Sequence, residues 1–387
     1  MFTQAYYHDT PNACRENHEG LAMSTCKICQ DASPYISKEL GVCLACIRKN
    51  PDQARSYAME AHQHSRAAFG LPTAPPRDPK GVRCKICVND CSIPEGSTGY
   101  CGLRKNQEGK LLDISTRRGK LSWYHDPLPT NCVGDWVCPA VTGTGYPKYA
   151  YRNGPEVCYK NLAVFFHACS FNCLFCQNWT FRRETQSSET RTVEELVAEV
   201  DEKTACICYF GGDPAPQLPF SIRVSRLARA RKRDRILRIC WETSGAMHPS
   251  LLRDAATLAI DSGGCIKFDL KAWDENLHIA LTGITNRRTL DNFQWAGSQL
   301  SRRLTPPPVL ASTLLVTGYI DEEEVRHIAR FIASVDPDIP YSLLGFYPHF
   351  FMNDLPKTSR ALAEKCRAIA QAEGLKRVKI GNAHLLT

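Results

Sequence analysis

From residue 161 onward, short apolar runs alternate with amphipathic stretches, and this rhythm constrains the fold more than any other feature. The apolar runs fall at 162–166, 205–210, 236–241, 265–270, 309–316 and 341–346. Between and after them lie helical stretches near 192–203, 220–233, 248–260, 287–303, 320–334 and 358–373. The first of these opens with the capping box Thr192-Val193-Glu194-Glu195, in which side chains satisfy the free N–H groups of the first turn. Six βα units in succession require a parallel sheet, because a parallel neighbour can be reached only by a crossover. The sheet is either rolled into a barrel or doubly wound. In both cases chemistry gathers where strands end.

The first strand runs into the densest chemical stretch of the chain. Cys169, Cys173 and Cys176 follow Phe165-Phe166-His167 at a C-x3-C-x2-C spacing. Three thiolates on one loop are one short of a closed site. A four-iron cluster held by three cysteines keeps one iron free for a ligand. The opposing interpretation is a zinc loop completed by His167 or a distant cysteine, or three thiols packed as small hydrophobes.

Twenty cysteines in 387 residues is unusual. The start, Met1 to Asp9, lacks the basic and apolar blocks of a secretory signal. Disulfides are therefore not expected, metal ligation is, and a cytoplasmic location follows. Cys26-x2-Cys29 and Cys43-x2-Cys46 form two knuckles separated by 13 residues, which can close on one zinc or iron. Residues 51–69 read as a helix that carries His62 and His64 on its surface. Proline-rich 71–80 reads as a linker. Beyond it, Cys84, Cys87, Cys91 and Cys101 form a further four-thiol set, with Gly99 and Gly102 allowing the bends. The expected organisation is a ribbon-like region 1–70, the linker, a second cysteine-rich region 81–160, and a core of 161–387. Cys132, Cys138 and Cys158 ligate a metal or pack, and the sequence does not choose between these.

The net charge of +8 is mildly basic. Its densest run, Arg226 to Arg235 and including Arg233, reads as a solvated helix end, so nucleic acid is not indicated as a partner. No apolar stretch approaches the roughly 18 residues of a spanning helix.

The cysteine loop closely resembles that of the radical S-adenosylmethionine (radical SAM) superfamily. The segments at the later strand ends resemble its pyruvate formate-lyase activating enzyme branch, in the order expected. They are Gly211-Gly212-Asp213-Pro214, Trp241-Glu242-Thr243-Ser244-Gly245, Phe268-Asp269-Leu270-Lys271 with His278 and Leu281-Thr282-Gly283, Phe346-Tyr347-Pro348-His349, and Lys379 to Asn382. Residues 84–112 resemble the cysteine motif of AmmeMemoRadiSam-type relatives. The resemblance implies a partial (βα)6 barrel preceded by a cysteine-rich metal-binding region. It implies a 4Fe–4S cluster on Cys169, Cys173 and Cys176, with S-adenosylmethionine beside it. Phe175, Gly211, Gly212, Asp213, Glu242, Ser244, Asp269, Lys271 and His349 become cofactor-binding candidates. Aspartate at 213 stands where the family has glutamate. The implied activity is an oxidoreductase that cleaves S-adenosylmethionine to a 5′-deoxyadenosyl radical and takes hydrogen from a protein or small molecule. A flavodoxin- or ferredoxin-type donor would supply the electron. A further zinc or iron–sulfur site is implied at the front. The competing class is a zinc-stabilised binding module without redox chemistry.

Overall fold

The computed structural model describes residues 23–130, 132–186, 189–232 and 234–387. Met1 to Asp9 and Arg233, both used above, lie outside them. Eight strands form one sheet: β1 (Leu121–Pro127), β2 (Lys160–Phe166), β3 (Thr204–Gly211), β4 (Arg238–Thr243), β5 (Ile266–Asp269), β6 (Val309–Leu315), β7 (Tyr341–Gly345) and β8 (Val378–Gly381). Their order across the sheet is their order in the chain. Every pair is parallel except β1 with β2, which run antiparallel through seven matched residues. A doubly wound sheet must reverse its strand order at a switch point. None occurs here, so right-handed crossovers place the helices on one side and the sheet curls as an open barrel. The six expected strands are all present. β1 and β8 extend the sheet at its two edges.

Alternation along the strands separates two environments. Leu162, Val164, Ile207, Tyr209, Ile239, Trp241, Ile266 and Phe268 are buried in the hydrophobic core. The intervening residues, including Ala163, Cys206, Cys208, Cys240, Glu242 and Lys267, line a lumen of about 480 Å³.

The cysteine-rich front shares this core. In the helix α1 (Pro51–Ala67), Pro51 begins the first turn, and Ala54, Ala58, Ala61 and Ser65 form a buried stripe at helical spacing. Tyr319 fixes the preceding loop: its hydroxyl accepts from Ser37 N at 3.0 Å and donates to the Val42 carbonyl at 3.0 Å. Arg48 meets Asp321 at 2.8 Å and Glu324 at 3.1 Å. Of the basic run, Arg226, Arg229 and Arg231 lie in the helix Leu218–Arg231 and Arg235 beyond it, and Arg226 pairs with Asp254 and Arg235 with Glu202. Among the described residues no helix is long and apolar enough to cross a membrane.

The two histidines of α1 differ. His64 is exposed as expected and meets Glu39 at 2.7 Å. His62 corrects the sequence-based expectation, because it is 1% exposed. Its Nε2 donates to the carbonyls of Ile279 and Ala280, both at 3.1 Å, in the helix α2 (Glu275–Thr282). Asn172 Nδ2 donates to its Nδ1 at 3.0 Å. Burial outweighs these bonds and holds its pKa at about 4. An unfolded histidine takes its proton near pH 6.5. Below that pH the unfolded chain binds a proton that the folded chain refuses, so stability falls as the pH drops from about 6.5 toward 4. This residue alone should cost about 3 kcal/mol across that window. Urea titrations at pH 7 and 4.5 measure the loss, and His62→Gln should lessen it. An unchanged slope in that variant would remove His62 as the cause.

Candidate active site

The loop after β2 is seated by backbone bonds to the end of α2. Asn172 N donates to Thr282 O at 2.8 Å, and Leu174 N donates to Leu281 O at 3.1 Å. Asn172 Nδ2 also donates to Ser65 Oγ at 2.6 Å, tying the loop to α1. So held, Cys169, Cys173 and Cys176 line a cavity of about 220 Å³ at the carboxyl end of the barrel. Phe175, Gly211, Gly212, Glu242, Ser244, Asp269 and Lys271, the candidates that the resemblance implied, line the same cavity.

The glycines are there for close approach. Gly211 has φ of +110°, and a Cβ on Gly212 would meet the Ala168 carbonyl oxygen at 2.4 Å. Two predicted residues sit elsewhere. Asp213 is absent from the cavity lining. Its carboxylate accepts from Ser170 Oγ at 3.0 Å, Thr243 Oγ1 at 2.7 Å and Ser244 Oγ at 2.5 Å, and so pins the β2, β3 and β4 loops together. His349 is also outside the lining, with Nδ1 at 3.0 Å from the Pro348 carbonyl. His167, a candidate zinc ligand, is bonded to Ser122 Oγ at 3.1 Å on β1.

Charge in the cavity is arranged as a chain. Lys267 Nζ meets Asp269 at 2.7 Å and Glu242 at 3.2 Å, and Lys271 Nζ meets the other Asp269 oxygen at 3.3 Å. Ser312 Oγ donates to Asp269 at 2.8 Å. Burial opposes ionisation of Asp269, yet Lys267 and Lys271 hold its carboxyl well below the usual range. Burial pushes the Cys173 thiol up to about 11, while Lys271 and Arg182 pull the other way. Arg182 is 1% exposed, and its Nε and Nη1 have no partner among the described residues. Sequence reading missed Arg182 and Lys267. The signal for Lys267 was present as two charges, Lys267 and Asp269, spaced by two in the buried strand β5, with Lys271 just beyond it.

Residues 163–332 match the radical SAM superfamily. The barrel, the cysteine loop and this match define the class: residues 163–332 form a radical SAM domain, similar to that of activating enzymes, and the chain is an enzyme. Across 79% of its length it is 27% identical to an uncharacterised protein of Methanocaldococcus jannaschii, covering 82% of that protein. It is 30% identical to the isethionate sulfite-lyase activating enzyme of Desulfovibrio desulfuricans, over 43% of this chain and only 51% of that enzyme. It is 27% identical to the pyruvate formate-lyase-activating enzyme of Staphylococcus aureus, over 50% of this chain and 78% of that one. A solved domain of pyruvate-formate lyase-activating enzyme from Bacteroides vulgatus overlays 45% of this chain and 98% of its own, at 20% identity and a TM-score of 0.37.

The superfamily implies a 4Fe–4S cluster and S-adenosylmethionine. The residues present fit both. Three sulfurs share one cavity, two buried cations face them, and the unpartnered Arg182 donors call for negative charge nearby.

At the front, Cys26, Cys29, Cys43 and Cys46 bring their sulfurs within 4.8 Å of one another. Burial opposes ionisation of Cys26, but the N–H groups of Cys29, Cys43 and Ile28 hold its thiol down at about 6. Four thiolates close a tetrahedral site. Changing Cys26 and Cys46 to alanine should remove about one metal ion per chain and open residues 23–50 to trypsin, because such a segment owes its folding to the ion. Resistance to trypsin in a chelator would rule out that dependence.

Proposed function

We propose that this enzyme cleaves S-adenosylmethionine reductively and takes a hydrogen atom from a glycine or other residue of a protein, in the manner of activating enzymes. The observation that carries this reading is the shared cavity of Cys169, Cys173 and Cys176 with Gly211-Gly212, Ser244 and the Asp269–Lys271 pair. Cys169, Cys173 and Cys176 would hold the cluster, which when bound would supply the electron for reductive cleavage of S-adenosylmethionine to methionine and a 5′-deoxyadenosyl radical.

The chain's own residues bind, orient and shield. Lys271 and Arg182 offset the negative charge of three thiolates. Gly211 and Gly212 let backbone approach the methionyl end of the cofactor. Ser244 and Glu242 offer polar groups to its ribose and carboxylate, and Phe175 offers its face to adenine. Asp213 acts behind them as a positioning residue, which answers the glutamate-to-aspartate change: its carboxylate orders the loops rather than the ligand. A flavodoxin- or ferredoxin-type protein is the proposed donor.

Anaerobic incubation with dithionite and S-adenosylmethionine should yield methionine and 5′-deoxyadenosine. Production of neither by iron- and sulfide-replete protein overturns the reading. Addition of the true protein substrate should leave a carbon-centred radical visible by electron paramagnetic resonance. We propose further that Cys84, Cys87, Cys91 and Cys101 hold a separate metal centre, and Cys84→Ala with Cys91→Ala should lower metal content without touching Cys169.

A further inference from the structure

The lumen beneath the three-cysteine cavity carries cysteines to which the proposed function gives no role. Cys208 on β3, Cys240 on β4 and Cys265 just before β5 line it, and Cys132 and Cys138 reach it from the segment after β1. Cys206 lines it too, its thiol donating to Asn161 Oδ1 at 3.3 Å, and the Cys208 thiol lies 3.9 Å from Glu242 Oε1. The lumen cysteines other than Cys206 converge on Cys240. Cys208 is its register partner across β3 and β4. Cys265 neighbours it, and Cys132 and Cys138 lie close enough to act on its charge.

Thiols that merely fill a core do not line an open cavity, and they do not attract unpaired cations. Arg303 is 6% exposed, and its Nε and Nη1 have no partner among the described residues. It donates to the Gly264 carbonyl, and its charge faces Cys265 and Cys240. A buried guanidinium needs an anion beside it. Arg238 has one in Glu156, whereas Arg303 forms no ion pair among the described residues.

We propose that Cys208, Cys240 and Cys265, completed from Cys132 and Cys138, hold an iron–sulfur cluster in the lumen, separate from the one at the strand ends. A single tetrahedral ion sets its sulfurs about 3.8 Å apart. The Cys26 set is drawn together in that way, and no lumen set is. The cavity volume leaves room for a cluster. Glu242 and Lys267 line both cavities, so the two centres share a wall.

The test uses full-length chain with alanine at Cys169, Cys173, Cys176, Cys84, Cys87, Cys91 and Cys101, reconstituted anaerobically with iron and sulfide. It should keep about two or four irons per chain with equal acid-labile sulfide. Adding Cys240→Ser and Cys265→Ser should abolish both. No labile sulfide in the first chain, or its persistence in the second, overturns the proposal. Because the second chain could fail to fold, Cys208→Ser is made in the otherwise native chain. It should alter the electron paramagnetic resonance signal of one reduced cluster and leave another unchanged, and a wholly unchanged spectrum overturns the proposal. Neither experiment requires cleavage of S-adenosylmethionine, so the lumen cluster and the proposed function fail separately.

Discussion

Cys173→Ala is expected to abolish 5′-deoxyadenosine formation while leaving the chain folded. Cys173 is the middle donor of the loop, and Lys271 and Arg182 both act on it. Two remaining thiolates do not hold a cluster that needs three. The fold should survive because the loop is seated by other groups, namely the Asn172 and Leu174 backbone bonds to α2 and the Asn172 side chain on α1. Mass spectrometry after incubation with dithionite and S-adenosylmethionine measures the product, and circular dichroism checks the fold. Cys169→Ala and Cys176→Ala should behave alike. Persistent 5′-deoxyadenosine from any of the three would mean that the cluster lies on other cysteines.

The second large effect is on stability. Glu156→Ala should cost about 3–5 kcal/mol, because it strands a buried charge. Glu156 and Arg238 are 0% and 1% exposed at their side chains, and they meet through paired bonds of 2.8 and 2.5 Å. The carboxylate also accepts from Tyr151 N at 2.8 Å, so it anchors the long excursion between β1 and β2 to the barrel. Against a total stability of about 5–15 kcal/mol, such a loss is severe. Urea titration of Glu156→Ala, Arg238→Ala and the double variant gives the coupling. The double variant should be less destabilised than the sum of the two. Strict additivity would show that the pair does not brace the excursion.

Where the sequence was legible, local pattern and a family resemblance carried it. Strand–helix alternation depends on neighbours along the chain and gives the six strands, the cysteine spacing gives the three thiols, and the other seven residues found around the cavity were implied by the resemblance to radical SAM enzymes. What escaped reading depends on distant partners. His62 is buried because carbonyls 217 and 218 residues away accept its proton. Asp213 looks like a ligand residue until the three hydroxyls around it are seen. The lumen cysteines were concealed by their own chemistry: in an apolar run cysteine counts as hydrophobic, so Cys206, Cys208 and Cys240 blended with Ile207, Tyr209 and Ile239. β1 was missed because Leu121-Ser122-Trp123-Tyr124-His125-Asp126 mixes polarity as an edge strand does. The linker and domain divisions read from composition remain proposals.

The two outer strands, β1 and β8, are not joined by a backbone ladder. The chain just after β1 crosses to the far side instead. Asp135 meets Lys379 of β8 at 2.9 Å, Trp136 Nε1 donates to Ser342 Oγ of β7 at 3.2 Å, and that hydroxyl donates to the Val133 carbonyl at 3.1 Å. The ring is thus clasped by side chains. A half-exposed ion pair is worth about 0–1 kcal/mol and weakens with salt. Every other junction of the ring is a ladder of backbone bonds. This clasp is therefore the one junction of the ring without a backbone ladder, and added salt weakens its Asp135–Lys379 ion pair while leaving the Trp136 and Ser342 hydrogen bonds in place.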